Sequence, residues 1–275
     1  MKVVACTPTK NRRWAWEWSK RCMDSQIRKP DEWIVVDNST TNEDWSIANW
    51  SPLLVYEHVE GERTIGWLRN RCIEIALERE ADVLVFWDDD DYYPPTRISS
   101  GLAVLEANPT TDIVGSSKMY LLLVNENVLM VTGPFADTHA TAATHIIRRR
   151  YFETHRFNAD DVRGEERHFT NNWTANVVQV SAEDTIVVMG HSRNTVNKSD
   201  LLENPIRYKA VVLNADNGKM AFRARWPVPW DLWKSTFSGE ACAPPPVNNR
   251  LEEVQTVTIP TLRIEETVKS VEHHA

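Results

Sequence analysis

From Met1 to about Asp112 short apolar runs alternate with segments of helical period, the arrangement that builds βαβ units and a mostly parallel sheet. Lys2 to Cys6 opens the chain as a strand. Trp14, Trp18 and Cys22 then recur at helical spacing, with Arg12, Arg13, Lys20 and Arg21 covering the opposite side. Lys29-Pro30-Asp31 breaks the chain before Glu32 to Asp37, whose Trp-Ile-Val-Val centre reads as a strand buried on both faces. Leu53 to Glu57 is a third strand, and Ile65, Leu68, Cys72 and Ile75 mark the next helix. Asp82 to Trp87 is the fourth strand, running directly into Asp88-Asp89-Asp90-Asp91. Tyr92-Tyr93-Pro94-Pro95 ends it, and Ile98, Leu102 and Leu105 define another amphipathic helix.

The second half changes character. Met119 to Val124 and Val128 to Thr132 flank Asn125-Glu126-Asn127, a hairpin pattern, and Asn176 to Val180 and Ile186 to Met189 read as further strands. The expected fold is therefore α/β, with a mixed, mostly parallel central sheet flanked by helices. Beyond Asp200 the patterns thin out, and Ala241 to Asn249 carries consecutive prolines, so residues 201–275 are expected to wrap the domain and then trail off partly extended.

Composition narrows the class. Acidic residues outnumber basic ones by 39 to 31, for a formal charge of -8, which disfavours a nucleic-acid partner or an anionic membrane surface. The start, MKVVACTPTK, lacks the apolar core of a signal peptide, and no run of about 18 apolar residues occurs, so no transmembrane segment and a cytoplasmic location are expected. Cys6, Cys22, Cys72 and Cys242 lack metal-type spacing and read as reduced and structural. Twelve tryptophans supply core rings and faces able to stack on sugars.

A strand ending in four aspartates puts carboxylates at the carboxyl edge of a parallel sheet, where open α/β folds bind ligands. Such oxygens suit a hard cation, Mg²⁺ or Mn²⁺, bridging to phosphate. An acidic turn capping the next helix is the bland alternative.

Four segments in order resemble family 2 glycosyltransferases of the GT-A fold: Thr7-Pro8-Thr9-Lys10-Asn11-Arg12 after the first strand, WIVVDNSTT, Gly66-Trp67-Leu68-Arg69-Asn70, and FWDDDDYYPP, which is similar to the family's DxD segment. The resemblance is specific over Met1 to Pro95, continues more weakly to about Asn197, and leaves the C-terminal region uncovered. It implies a catalytic domain over 1–200, with a nucleotide-sugar-binding half (1–115) and an acceptor-binding half (116–200), and an acceptor-side extension over 201–275. It also implies an inverting, metal-dependent transfer from a nucleotide diphosphate sugar donor to an acceptor that the sequence does not identify.

Carried over by residue, the resemblance puts Pro8 and Thr9 in the nucleotide-binding turn, Asp37 on the base and Arg69 near the nucleotide pocket. Asp88 would meet the ribose or a metal-bound water with Asp89 beside it, Asp90 would bind the metal, and Asp91 is a reserve ligand. Lys10 stands where many members have tyrosine. Asp37 also reads as the cap of the Asn38-Ser39-Thr40 turn, and Arg69 as part of a solvated helix face. Gly164-Glu165-Glu166-Arg167 resembles the family's late acidic motif, which makes Glu166 the general base, with Glu165, Asp160 and Asp161 as alternatives. His191, in GHSRNTVNK, resembles a histidine that closes over the donor phosphates and can ligate Mn²⁺. His139 and His145 fall where relatives contact acceptor.

The rival readings differ in class. VLVFWDDDDYY also resembles a haloacid dehalogenase-type phosphatase motif, although Tyr92 stands where that motif has Thr or Val. A non-catalytic sugar- or metal-binding protein of the same fold would lack the metal carboxylates or the base, and both are present. A nucleotidyltransferase would carry a glycine-rich phosphate loop after the first strand, and this chain does not.

Overall fold

The computed structural model describes residues 1–42, 53–194, 197–214, 217–228 and 236–237. The first half runs β1 (Val3–Thr9), α1 (Trp16–Asp24), β2 (Glu32–Asp37), β3 (Leu53–His58), α2 (Ile65–Glu78), β4 (Val83–Phe86) and α3 (Arg97–Ala107). It continues through β5 (Ile113–Gly115), β6 (Met119–Leu123), β7 (Val128–Thr132), β8 (Ile146–Arg148), α4 (Arg149–Phe152) and α5 (Glu166–Phe169). The remaining described elements are β9 (Val177–Gln179), β10 (Val187–Gly190), α6 (Asp200–Glu203), β11 (Val211–Asn214) and α7 (Gly218–Arg225). The proline-rich stretch Ala241 to Asn249, the tail beyond it and Cys242 lie outside the described residues; Cys6, Cys22 and Cys72 are free and buried.

Seven strands form the main sheet in the order β3-β2-β1-β4-β8-β5-β9. β1 is parallel to β2 and β4, and β2 to β3, whereas β8 runs antiparallel between β4 and β5. The mixed, mostly parallel sheet read from the sequence is thus the one observed. Its central strands read as unbroken apolar runs because both faces are covered. Val3, Ala5, Trp33, Val35, Val83 and Val85 pack on one side with Trp16 and Trp18 of α1. The alternate residues Val4, Cys6, Ile34, Val36, Leu84 and Phe86 pack on the other with Leu68, Cys72 and Ile75 of α2. This period of two is what a strand imposes on its side chains.

The hairpin expected at Met119 to Thr132 is present, with Met119 opposite Thr132 and Leu123 opposite Val128. Asn127 takes the left-handed turn position at φ 58°, a conformation asparagine tolerates better than most residues. β10 lies parallel to β6 and β11 antiparallel to β7, giving a second sheet of order β10-β6-β7-β11. The chain beyond Asp200 therefore supplies a strand to this sheet. The two sheets meet where Tyr92, just after the aspartate run, exchanges backbone hydrogen bonds with Val187.

Thr64 caps α2 by accepting a hydrogen bond from the Trp67 N–H at 3.2 Å. Two residues later Gly66 lies against the 158–161 loop, where a Cβ would stand 2.0 Å from the Asn158 carbonyl oxygen. Since that obstacle is backbone, Gly66→Ala is expected to destabilise the fold by about 1–3 kcal/mol. Urea denaturation of both proteins checks this, and unchanged stability would contradict so close an approach.

Candidate active site

The carboxyl ends of β1 and β4 open on a cavity of about 280 Å³. Asp88 to Asp91 and Glu165-Glu166 line it, with Arg12, Arg69 and Lys198 among the cations. β4 delivers the aspartates because its apolar residues end at Trp87, whose indole is locked by stacking on Tyr93 at 3.9 Å and by donating to Ser19 Oγ. The Tyr93 hydroxyl accepts the Asp88 N–H at 2.7 Å, which fixes the turn at the first carboxylate.

The four aspartates diverge. Asp88 is the most open of them, its side chain 30% exposed. Asp89 accepts hydrogen bonds from Thr9 Oγ1 and, at 2.8 Å, from Arg12. Burial and the charge of Asp90 raise its pKa to about 6 against the opposing pull of Arg12. Asp90 is buried too, yet Arg12, at 2.5 Å, and His191 outweigh the desolvation and hold it at about 2. Asp91 accepts the Met189 N–H at 2.8 Å on its carboxylate and the Trp18 indole N–H on its backbone carbonyl, so it ties the run to β10 and α1. Burial and the charges of Asp90 and Asp88 push its pKa well above the usual carboxylate value.

His191 arrives from the loop after β10, its Nε2 3.2 Å from Asp90 Oδ2. Trp14 meets the imidazole edge-on at 5.2 Å, and Asn194 Nδ2 lies 3.2 Å from the same Asp90 oxygen. A carboxylate oxygen beside an imidazole nitrogen is a donor pair of the kind Mn²⁺ takes, with Asp88 at the open side of the cavity. Among the described residues no three His, Cys, Asp or Glu side chains converge. A divalent cation here would therefore draw further ligands from phosphate and water, as such ions commonly do.

On the opposite wall α2 aims Arg69 inward. Its Nε donates to Glu165 at 2.8 Å and its Nη2 to Asp88 at 3.1 Å, so the guanidinium is buried and committed rather than lying on a solvated helix face. Burial opposes the Arg69 charge, but Asp88 and Glu165 more than compensate and raise its pKa above the ordinary arginine value. With Glu165 held by Arg69, Glu166 at the start of α5 is the half-buried neighbour facing the cavity. Desolvation, then the Glu165 charge, raises its pKa to about 7.

Other residues singled out in the sequence lie apart from this constellation. Asp37 is fully buried, and its oxygens accept from Ser39 N–H and Oγ and from the Tyr56 hydroxyl; it caps its own turn and does not line the cavity. Asp161 is engaged by His168 and Asn158, and Asp160 is likewise absent from the cavity wall. His145 is a core residue bonded to the Ala140 carbonyl, with its pKa driven down to about 3 by burial. Pro8 lines the cavity, and Thr9 reaches it through Asp89.

The helical pattern of the sequence puts Arg12 on the outer face of a helix, whereas in the structure it bridges Asp89 and Asp90. Its place in the turn after the first strand, facing a run of aspartates on a neighbouring parallel strand, was the available signal. Asn194 and Lys198 were also missed, because their position depends on β10 docking beside the aspartates.

A carboxylate-lined cavity at the carboxyl edge of a mostly parallel sheet, with a smaller sheet beside it, is the GT-A architecture of glycosyltransferases. Residues 4–170 match the glycosyl transferase family 2 description, and the chain belongs to that family. Staphylococcus aureus TarS 1-349 is similar at TM-score 0.52 and 19% identity, over 69% of this chain and 61% of that one. The mannosyltransferase PcManGT from Pyrobaculum calidifontis, in complex with GDP-Man and Mn²⁺, gives TM-score 0.52 and 16% identity over 70% of this chain and 58% of that one. TarS 1-349 with UDP-GlcNAc matches 87% of this chain and 74% of its own at 19% identity and TM-score 0.52. The chain thus spans about three-fifths of the TarS 1-349 and PcManGT chains and 37% of the longer TarS chain. No curated protein sequence matches significantly.

Replacing Arg69 by Met would leave Glu165 buried without its counter-charge. Breaking a buried pair in this way costs about 3–5 kcal/mol. Chemical denaturation of Arg69→Met should show a loss of that size, and a loss below about 1 kcal/mol would contradict the placement.

Proposed function

We propose that the protein is an inverting glycosyltransferase that moves a sugar from a nucleoside diphosphate donor to an acceptor hydroxyl, with Mn²⁺ or Mg²⁺ as cofactor. The observation that carries this reading is the pairing, within one cavity, of the Asp88 to Asp90 carboxylates with Glu166, a half-buried carboxylate whose pKa lies near 7. Inversion at the sugar carbon needs one group to take the acceptor proton as the hydroxyl attacks. Glu166 is poised for that, because its environment makes it a stronger base than an ordinary carboxylate while leaving a large ionised fraction near neutral pH. Glu165 is the positioning residue beside it, fixed by Arg69.

Asp90 and His191 would hold the metal, with Asp88 toward the donor. Bound there, the cation would neutralise charge on the diphosphate leaving group. Arg12 and Lys198 add positive charge to the same wall, and Pro8 and Thr9 shape the turn beneath it. The Mn²⁺ and GDP-Man of the mannosyltransferase and the UDP-GlcNAc of TarS support the donor class. A cytoplasmic location is part of the proposal; among the described residues no helix is long and apolar enough to cross a membrane.

The two carboxylate roles separate experimentally. Asp90→Asn should abolish the Mn²⁺-dependent thermal shift by a nucleotide sugar, whereas Glu166→Gln should keep that shift and lower turnover by about 10² to 10⁴. EDTA should remove both shift and turnover, and Mn²⁺ should restore them. Full activity in EDTA, or wild-type turnover in Glu166→Gln, would overturn the corresponding role.

The pH dependence follows in sign. The base works ionised, so kcat/KM should rise with pH through about 7 and level off above it. Because the Glu165 charge is part of what raises Glu166, Glu165→Gln should move this limb to lower pH. Rate profiles of both proteins measure it; a limb that stays in place would exclude Glu166 as the titrating group.

A further inference from the structure

Directly after the helix that bears Glu166, three consecutive non-glycine residues adopt left-handed backbone: Asn171 at φ 51°, Asn172 at 55° and Trp173 at 65°. Such runs are rare for L-residues, and a bulky side chain is among the least suited to them. The turn is pinned to the helix, since Asn171 and Asn172 donate their N–H groups to the carbonyls of His168 and Arg167, and Thr174 and Ala175 donate to Thr170. Arg167 Nε also donates to Asn172 Oδ1 at 3.1 Å. Strain sustained by so many bonds fixes the direction of one side chain, Trp173.

That ring meets His139 at 4.5 Å between centroids, and His139 meets Phe135 at 5.0 Å. All three rings remain partly exposed, so packing alone does not account for the cluster. The His139 loop is held in turn by Gln179, whose Nε2 donates to the Asp137 and His139 carbonyls, each at 2.8 Å. Burial lowers the His139 pKa, and its Nδ1 makes no hydrogen bond. Both arms of the cluster lead back to the cavity. Thr141 to Ala143, just after His139, line one wall, and Glu166 heads the helix that ends before Trp173.

We propose that Trp173, with His139 and Phe135 behind it, is a binding platform for a pyranose ring of a saccharide acceptor, one subsite away from the hydroxyl presented to Glu166. Aromatic faces pack against the C–H face of a sugar, and a partly exposed indole fixed in the turn that follows the Glu166 helix is already oriented for it. Asn171 and Asn172, which precede Trp173 in the turn, are exposed and carry amides able to bond sugar hydroxyls. Continuity with the cavity through the base helix selects a saccharide over a protein partner. This inference rests on the glycosyltransferase reading above.

The test uses the full chain on a printed glycan array, with a nucleotide-sugar and Mn²⁺ thermal-shift panel run in parallel. Trp173→Gly removes the ring while relieving the left-handed backbone, so the fold should survive, and Trp173→Phe keeps an aromatic face. Wild type should bind one or more glycans, Trp173→Gly should bind the same glycans about tenfold more weakly or not at all, and Trp173→Phe should recover part of the signal. The nucleotide-sugar shift should be the same in all three. Glycan binding absent from wild type, or equal in Trp173→Gly, would overturn the platform. A missing nucleotide-sugar shift in wild type alongside glycan binding that depends on Trp173 would instead overturn the donor reading and leave the platform standing.

Discussion

The guanidinium of Arg69 is the constraint on which the site depends. It lies between Asp88, at the end of β4, and Glu165, at the head of α5, and joins two segments far apart in the chain. Phe86 lies 4.9 Å below its charge and Phe157 6.0 Å away, so the cation sits on aromatic faces with little water to compete for it. A charge removed from water to this degree is tolerable only because two carboxylates flank it. The same arrangement has a chemical consequence. By taking up Glu165, Arg69 leaves Glu166 as the carboxylate that is raised in pKa but not neutralised by a partner. Structure and reactivity thus share one interaction: the pair that closes the wall of the cavity also distinguishes two adjacent glutamates.

Arg12 performs a comparable task on the opposite wall. Adjacent aspartates on one turn repel one another, and without a counter-ion at least one would take up a proton. The guanidinium between Asp89 and Asp90, together with His191 and Asn194, lets Asp90 stay ionised inside the protein. An ionised, preoriented oxygen is what a divalent cation needs, since ligands must be deprotonated before they bind.

Much of the fold was legible because burial on two faces leaves a plain signature. The central strands β2 and β4 are continuous apolar runs, and the hairpin announces itself as two apolar runs flanking Asn125-Glu126-Asn127. The segments forming the cavity were also visible, as runs of chemistry at strand ends. Individual side-chain roles were less so. Asp37 follows a buried strand much as Asp88 does, but Tyr56 on the adjacent β3 and Ser39 in its own turn take up its oxygens, and no local pattern reveals a partner on another strand. Arg12 and Arg69 both sit in helical or turn segments where arginine usually faces solvent. Only the tertiary placement of the carboxylates turns them inward. Trp173 carried no readable signal at all, since a left-handed turn built of Asn-Asn-Trp lacks the glycine that normally marks one.

The aspartate run shows why composition understates such a site. Four identical residues in succession end in four different environments: one open to the cavity, one raised to about 6, one held at about 2, and one bonded to the backbone of β10 with its pKa raised well above the carboxylate range. The strand itself cannot produce this difference, because alternation offers only two directions. What separates Asp90 from Asp91 is the partners each meets: Arg12, with His191 and Asn194 from the loop after β10, at Asp90, and the Met189 N–H of β10 at Asp91. That loop reaches the run only because Tyr92 pairs with Val187 and ties the second sheet to the first. The second sheet is therefore part of the cavity's construction as well as its neighbour: docking β10 at the end of the run is what gives Asp90 and Asp91 separate environments.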